Sequence, residues 1–456
     1  MSRTEYSCNS AEIETRRLSG QEWRSYSRFT AFYCAVYFTV ATTKVLSFWK
    51  TGDGNFFKGD LETGKELLSA IGVGVLLLCL RNIYKKNKLA WQLILRSWPL
   101  IAVMAFAMAS MMWSQIPSLT LKRYMKLLIL FFCLLDLITE KDNHRALKMS
   151  FLWYIGTVVV LSLLVMVVLP QYGWMIYAQS GKLVAKGIIA HKSELGEFCA
   201  SSVLVLLWIL YSTPDIPVLL KKRIKLLIIG SLLLLALTQG KNPLLNLIFS
   251  LSLFYLMSIL YRSRNKRIVL AMFFFSCCCG IVFVYLRLTG VIGSVIEYVV
   301  LAVGKDMTFT GRTDLWNTFM WLGFQQNPFI GSGYGAFFGG SKTSWLLDYI
   351  WDSASSAHSG YLQLFLELGF LGLGLFVLFL IWALRQAFSP GESLGTKEKS
   401  VIISIIWFNI FYNIVSVSFL SYRMSFIGLM FAVMYLPSRL IGKHNRQRKL
   451  SECISE

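Results

Sequence analysis

Four imidazoles and a few isolated cations are the groups in this sequence suited to moving a proton or holding an anion. A neutral imidazole accepts a proton from a hydroxyl near neutral pH. His144 and His444 stand among positive charges and read as ordinary loop residues. His358 lies in "SSAHSGYLQLF", where a long polar and aromatic segment meets an apolar run. It is either a proton acceptor or a histidine that caps the helix behind it. His191 is on the same side of the chain's topology. Four cations stand near these two histidines: Lys186 and Lys192 before one apolar run, Lys241 in the tight turn "TQGKNP", and Arg312 in "GRTDLW". Arginine grips phosphate oxygens in bidentate fashion and lysine supplies a point charge. The same residues also snorkel to lipid headgroups, and residue type leaves both roles open. Glu367, inside an apolar run, is an intramembrane carboxylate: a functional candidate by default, or one half of a helix–helix hydrogen bond.

The elements that position these groups are membrane helices. The chain has 456 residues, 55% of them hydrophobic, and only 9 prolines. Runs such as Trp98–Trp113, Phe151–Leu169, Ile268–Leu286 and Leu362–Leu384 are almost free of charge. A helical crossing needs about 20 apolar residues. The repetition of such runs predicts an all-α polytopic membrane protein with about twelve crossings. They fall near 29–49, 66–80, 97–113, 124–138, 149–169, 195–211, 226–238, 243–261, 268–287, 362–385, 400–419 and 423–438. Met1–Arg28 is polar and lacks a signal-peptide pattern, so the first helix is expected to be an uncleaved anchor.

The net charge of +21 points to nucleic acid at first sight, but topology accounts for it without any nucleic-acid partner. With both termini cytoplasmic, more than half of the 45 Lys and Arg lie inside. They include the short clusters Arg81/Lys85/Lys86/Lys88, Lys221/Lys222/Arg223/Lys225 and Arg262/Arg264/Lys266/Arg267, as the positive-inside bias requires. The expected organisation is a cytoplasmic tail at 1–28, nine crossings within 29–287, a large extracytoplasmic loop at 288–361, three crossings within 362–438 and a tail at 439–456. A second outside connection spans 170–194. Long ordered loops usually carry function. Within the large loop, Thr313-Asp314 followed by "LWNTFMWLGF" predicts a capped helix that ends at Asn327-Pro328, with a glycine-rich bend behind it.

Other signals carry little. The nine cysteines form no disulfide framework, and Cys277-Cys278-Cys279 read as small core residues. The carboxylates Glu297, Asp306, Asp314, Asp348 and Asp352 lack metal-ligand spacing, so no metal or other cofactor is expected, and Asp314 is simply an acid in a first helical turn. "GSGYG" lacks the strand and βαβ unit of a dinucleotide site.

Six ordered pieces together resemble the O-antigen ligase and polysaccharide polymerase superfamily, closest to exopolysaccharide polymerases of the Wzy and ExoQ type. They are "MWSQIPSLTLKR" (112–123), "KGIIAHKSELG" (186–196), "LTQGKNPLL" (237–245), "GRTDLW" (311–316), "NPFIGSGYGAF" (327–337) and "AHSGYLQLFLELGFLGLGLF" (357–376). The ligase signature is His, then Asn/Ser/Gln, then Gly ten residues on; His358, Ser359 and Gly369 meet it, with Gly372 as the following small residue.

The resemblance implies a metal-independent glycosyltransferase of the multi-span C type in the bacterial inner membrane, with its active site on the periplasmic side. Its donor would be an oligosaccharide on undecaprenyl diphosphate, and a flippase and a chain-length regulator would be its expected partners. His358 would serve as base or orienting group for the acceptor hydroxyl and Arg312 would hold the diphosphate. Lys241 and Lys186 stand where relatives carry Arg, which keeps charge and loses bidentate geometry; Lys192 completes the diphosphate-binding set. Asp314, Tyr334, Tyr361, Glu367 and His191 are candidate acceptor or support residues. Ser193 replaces a usual Asn, and an Asn-x-x-Glu pattern becomes Asn413 with Ser416.

Polymerisation onto a lipid-linked repeat unit is favoured over ligation onto lipid A core or another terminal acceptor, because the upstream pieces look more like the polymerase branch. A transporter or flippase would show broken helices in matching halves, and no such pair is evident. A receptor whose loop merely binds a partner would not need His358.

Overall fold

The computed structural model describes residues 28–43, 62–140, 144–177, 181–213, 216–262, 312–339, 356–389 and 394–455. Apolar runs in a membrane must satisfy their own backbone groups, and helices do so within one segment. The described chain is accordingly mostly helix, the fold of a polytopic membrane protein. Its helices are α1 (28–42), α2 (Glu62–Lys85), α3 (Asn87–Arg96), α4 (Trp98–Ala109), α5 (Pro117–Ile138), α6 (Arg145–Val168) and the single turn α7 (Pro170–Gly173). They continue with α8 (Lys192–Tyr211), α9 (Val218–Thr238), α10 (Lys241–Arg262), α11 (Arg312–Gln326), α12 (Gly360–Phe388), α13 (Thr396–Tyr412) and α14 (Met424–Ser455).

Among the described residues, five helical stretches are long and apolar enough to cross a membrane: Leu67–Lys85, Arg145–Val168, Lys192–Tyr211, Lys241–Tyr261 and Gly360–Phe388. A sixth exists if Lys88–Arg96 and Trp98–Met112 count as one span, although they meet at 82°. Several of the other expected crossings are helices that run on into charge. The run at 226–238 is the second half of α9, whose first turns carry Lys221, Lys222, Arg223 and Lys225, and α5 holds Lys122, Arg123, Lys126 and Asp136. The expected ninth crossing at 268–287 and the loop portions 288–311 and 340–355 lie outside the described residues. The expected eleventh crossing, 400–419, stops at Tyr412, and 413–423 is a bend without regular structure. The 170–194 connection also departs from a purely α-helical chain. Strands β1 (Trp174–Tyr177) and β2 (Lys182–Ala185) pair antiparallel there, with Trp174 opposite Ala185. The hairpin is pinned to α6 by a Trp174 Nε1 hydrogen bond to the Met166 carbonyl, at 3.1 Å.

The helix expected from "GRTDLW" to Asn327-Pro328 forms as α11, and the glycine-rich bend follows it. That bend repairs a break in α12. At Gly369 the backbone of α12 is non-helical, with φ 66°. Breaking a helix there frees two N–H and two C=O groups, which an apolar surrounding would leave unsatisfied at a cost of several kcal/mol. Residues 328–333 meet all four. Phe370 N–H donates to the Pro328 carbonyl at 2.8 Å and Leu371 N–H to Phe329 at 3.1 Å. In return, Ser332 N–H donates to the Leu366 carbonyl at 3.1 Å and Gly333 N–H to Glu367 at 2.9 Å. Two backbones approach this closely only without side chains between them. A Cβ on Gly369 would lie 2.2 Å from the Phe329 carbonyl carbon, and one on Gly331 2.4 Å from that of Glu367.

Gly369→Ala should therefore destabilise the protein by more than about 2 kcal/mol. Gly374→Ala, on the same helix with open space around it, should be neutral or gain about 0.5 kcal/mol. Unfolding of the two purified variants in detergent measures the difference, and equal stabilities would contradict this account of the break.

Candidate functional site

His358 adopts φ 50°, a left-handed backbone that histidine tolerates better than most residues. The next residue, Ser359, is the N-cap of α12. Both flanks of this turn are tied down. On one side, the Trp316 indole of α11 donates to the Ala357 carbonyl at 2.9 Å, and Ala357 N–H donates to Gln363 Oε1 at 3.0 Å. On the other, Gly360 N–H donates to the Asn413 carbonyl at 2.8 Å, and a Cβ on Gly360 would collide with the Asn413 side chain. Asn413 in turn caps the 413–423 bend, its Oδ1 accepting from the N–H groups of Ser418 and Phe419 at 2.7 and 3.2 Å. The half-buried imidazole thus stands on a turn fixed by three elements.

Three sequence candidates lie in the hydrogen-bond network around this turn. Glu367 is buried, accepts from Gly335 N–H at 2.8 Å and is hydrogen-bonded by the Gln363 amide. A chain of bonds therefore runs from Ala357 through Gln363 and Glu367 to the glycine-rich bend. Tyr334, buried in that bend, donates to the Leu420 carbonyl. Tyr361 donates to the Ile410 carbonyl at 3.0 Å, and its ring packs edge-on against Phe419. Arg312 opens α11 one turn before Trp316, which puts its backbone at the same end of the bundle as His358. The side chains of Arg312 and Asp314 lie outside the described residues.

The lysines gather around the start of α8. Lys186 follows the hairpin and is buried, its N–H bonded to the Gly173 carbonyl at 3.0 Å. Lys192 begins α8 with its ammonium 3.3 Å from the centre of the Tyr177 ring, a cation–π contact with the hairpin. Lys241 is exposed at the first position of α10, in a turn made possible by the left-handed Gln239. That turn presses on α8, because a Cβ on Gly196 would meet Pro243 at 3.1 Å. It also reaches the 413–423 bend, where Asn242 Nδ2 donates to Ser416 Oγ at 2.8 Å. The bend thus joins the lysine cluster to the His358 turn.

His191 caps α8, its Nδ1 accepting from Ser193 N–H at 3.2 Å. Burial chiefly pulls its ring below the usual imidazole range; Glu194 opposes this, and Lys192 and Arg423 reinforce it.

Sequence reasoning missed the groups that lock this end. Arg423 forms an ion pair with Glu194 at 2.8 Å. One turn along α8, buried Glu197 accepts from Ser425 N–H at 2.6 Å at the start of α14. The available signal was the acid pair in "KSELGEF" facing the lone arginine in "SYRMSF". Arg123 was likewise passed over: a Cβ on Gly335 would strike its side chain at 2.3 Å, which places it beside the Glu367 relay. This end of the bundle thus brings together lysines, which could hold an anion, and two imidazoles, His191 and His358, which could take a proton.

A depressed pKa for His191 means that, below about pH 6.5, the unfolded chain binds a proton the folded one resists. Its stabilising contribution is therefore present above that pH and is lost as the pH falls toward the folded value. Wild-type thermal stability should drop relative to His191→Gln on acidification from neutral pH toward 5, and parallel curves would refute the shift.

No curated protein matches the chain significantly. Residues 226–377 match the family model described as O-antigen ligase, of the Wzy type. This match runs from α9 to α12 and includes Lys241, Arg312, the glycine-rich bend and His358. The third of the chain in which the bend clasps the broken α12 thus belongs to the O-antigen ligase, Wzy-type superfamily.

Proposed function

We propose that the protein is a polysaccharide polymerase. It transfers a glycan from undecaprenyl diphosphate to a sugar hydroxyl of a lipid-linked repeat unit at the outer face of the bacterial inner membrane. The observation that carries this reading is the His358 turn, held by α11, α12 and the 413–423 bend at the same end as Lys186, Lys192 and Lys241. Membership of residues 226–377 in the O-antigen ligase family supports the reaction class.

The departing diphosphate is already a good leaving group, so the protein has two tasks: neutralise its charge and aim the nucleophile. Lys241, exposed at a tight turn, meets a lipid-borne anion at the bilayer surface, and Arg312, which opens α11, is the second cation assigned to it. His358 takes the proton of the attacking hydroxyl as the new glycosidic bond forms and the anomeric carbon–oxygen bond to the diphosphate breaks. A left-handed turn tied on both flanks fixes the backbone that carries the imidazole, which suits orientation better than a loop without such ties. The second reading, ligation onto lipid A core or another terminal acceptor, uses the same donor machinery.

Purified protein supplied with lipid-linked repeat units alone should build ladders of polymer, whereas a ligase would leave them unjoined. His358→Ala and Arg312→Ala should each lower the yield at least about 100-fold, the scale of a lost general base or oxyanion-type contact, while the protein remains folded. Full yield from either variant would rule out the site. Ladder formation should persist in EDTA, and its loss would bring back a divalent-metal mechanism.

A further inference from the structure

The opposite end of the bundle holds a second polar column that the glycan chemistry does not use. Cys34 on α1, Cys79 on α2 and Cys133 on α5 are fully buried, and their three sulfurs lie within 4.8 Å of one another. Cys79 Sγ and Cys133 Sγ are 3.9 Å apart. A second polar layer lies beside the thiols, drawn from α1, α2 and α5 and from Lys86 and Glu140 just beyond α2 and α5. Asp136 accepts from Tyr33 Oη, from Asn82 Nδ2 at 3.0 Å and from Lys86 Nζ at 2.9 Å; Lys86 also pairs with Glu140 at 2.5 Å. Each thiol is thus placed beside a member of that layer: Cys34 next to Tyr33, Cys79 three residues before Asn82, Cys133 three before Asp136.

We propose that Cys34, Cys79 and Cys133 form a three-sulfur site for a soft cation, Cu(I). Thiolate donors select soft metals. With metal–sulfur bonds of about 2.3 Å, a trigonal centre sets its sulfurs roughly 4.0 Å apart, and the Cys79–Cys133 pair already has that spacing. Among the described residues the group supplies three ligand atoms. Zn(II) sites take four ligands almost always, whereas Cu(I) is content with three. Binding through three thiolates releases three thiol protons to solvent, and no electron moves. The site would link α1, α2 and α5 at the end of the bundle away from His358.

The test uses full-length protein in which Cys8, Cys277, Cys278, Cys279 and Cys453 are changed to serine, leaving Cys34, Cys79, Cys133 and Cys199. Under anaerobic conditions it is titrated with Cu(I) buffered by bathocuproine disulfonate. The expected result is capture of about one equivalent, lost on adding Cys34→Ser, Cys79→Ser and Cys133→Ser and kept on adding Cys199→Ser instead, since Cys199 lies apart on α8. X-ray absorption on the parent variant should show three sulfur neighbours at about 2.3 Å, a readout that does not depend on the triple variant folding. No captured Cu(I), a nitrogen or oxygen shell, or capture of Zn(II) in its place would each overturn the assignment.

Discussion

The architecture rests on an exchange of four backbone hydrogen bonds between the bend at 328–333 and the break in α12 at Gly369. A helix interrupted in apolar surroundings loses partners for its peptide groups, and water is not there to replace them. Here another stretch of main chain takes the place of the missing helical turn. This fixes how the extramembrane segment enters the bundle. It also explains why glycine stands at 331 and 369, where the two chains pass with no room for a Cβ. The relay from Glu367 through Gln363 to Ala357 then carries that fixed geometry up to His358.

Acidic residues do a comparable job on the lysine side. Glu194 and Glu197, three apart on α8, face the start of α14, one pairing with Arg423 and the other accepting a freed N–H. A carboxylate at a helix N-terminus meets both the orphan donors and the positive end of the dipole. The 413–423 bend is therefore gripped by α8 through Arg423, by α10 through Ser416 and by the His358 turn through Asn413. It is the piece on which both halves of the site converge.

Much of this was legible in the residues. Apolar runs gave the helices, Asn327-Pro328 gave the end of α11, and the "AHSGYLQL" pattern led to His358. Helix ends were legible only in part, because hydropathy marks where apolar residues stop and not where the helix does: α9 begins at Val218, well before its apolar half. The β-hairpin was missed, since one four-residue strand pair in a connection leaves no periodic signal. Residues acting through partners distant in sequence were missed for a different reason. Arg423 and Glu194 are 229 positions apart, and nothing local in either segment announces the other. Glu367 was seen, but its partners were not, because a main-chain donor such as Gly335 N–H has no sequence identity.

The broken α12 has a mechanical consequence. An unbroken helix is a stiff rod, so a tilt imposed on its membrane-buried half would swing its tip. The break at Gly369 divides α12 into a lower half packed on α4, with Gly372 near Phe106, and an upper half on the other side of the clasp. The upper half keeps company with α11 and the bend. The turn that carries His358 thereby takes its position from α11, the bend and the 413–423 segment, on the far side of the break from the half packed on α4.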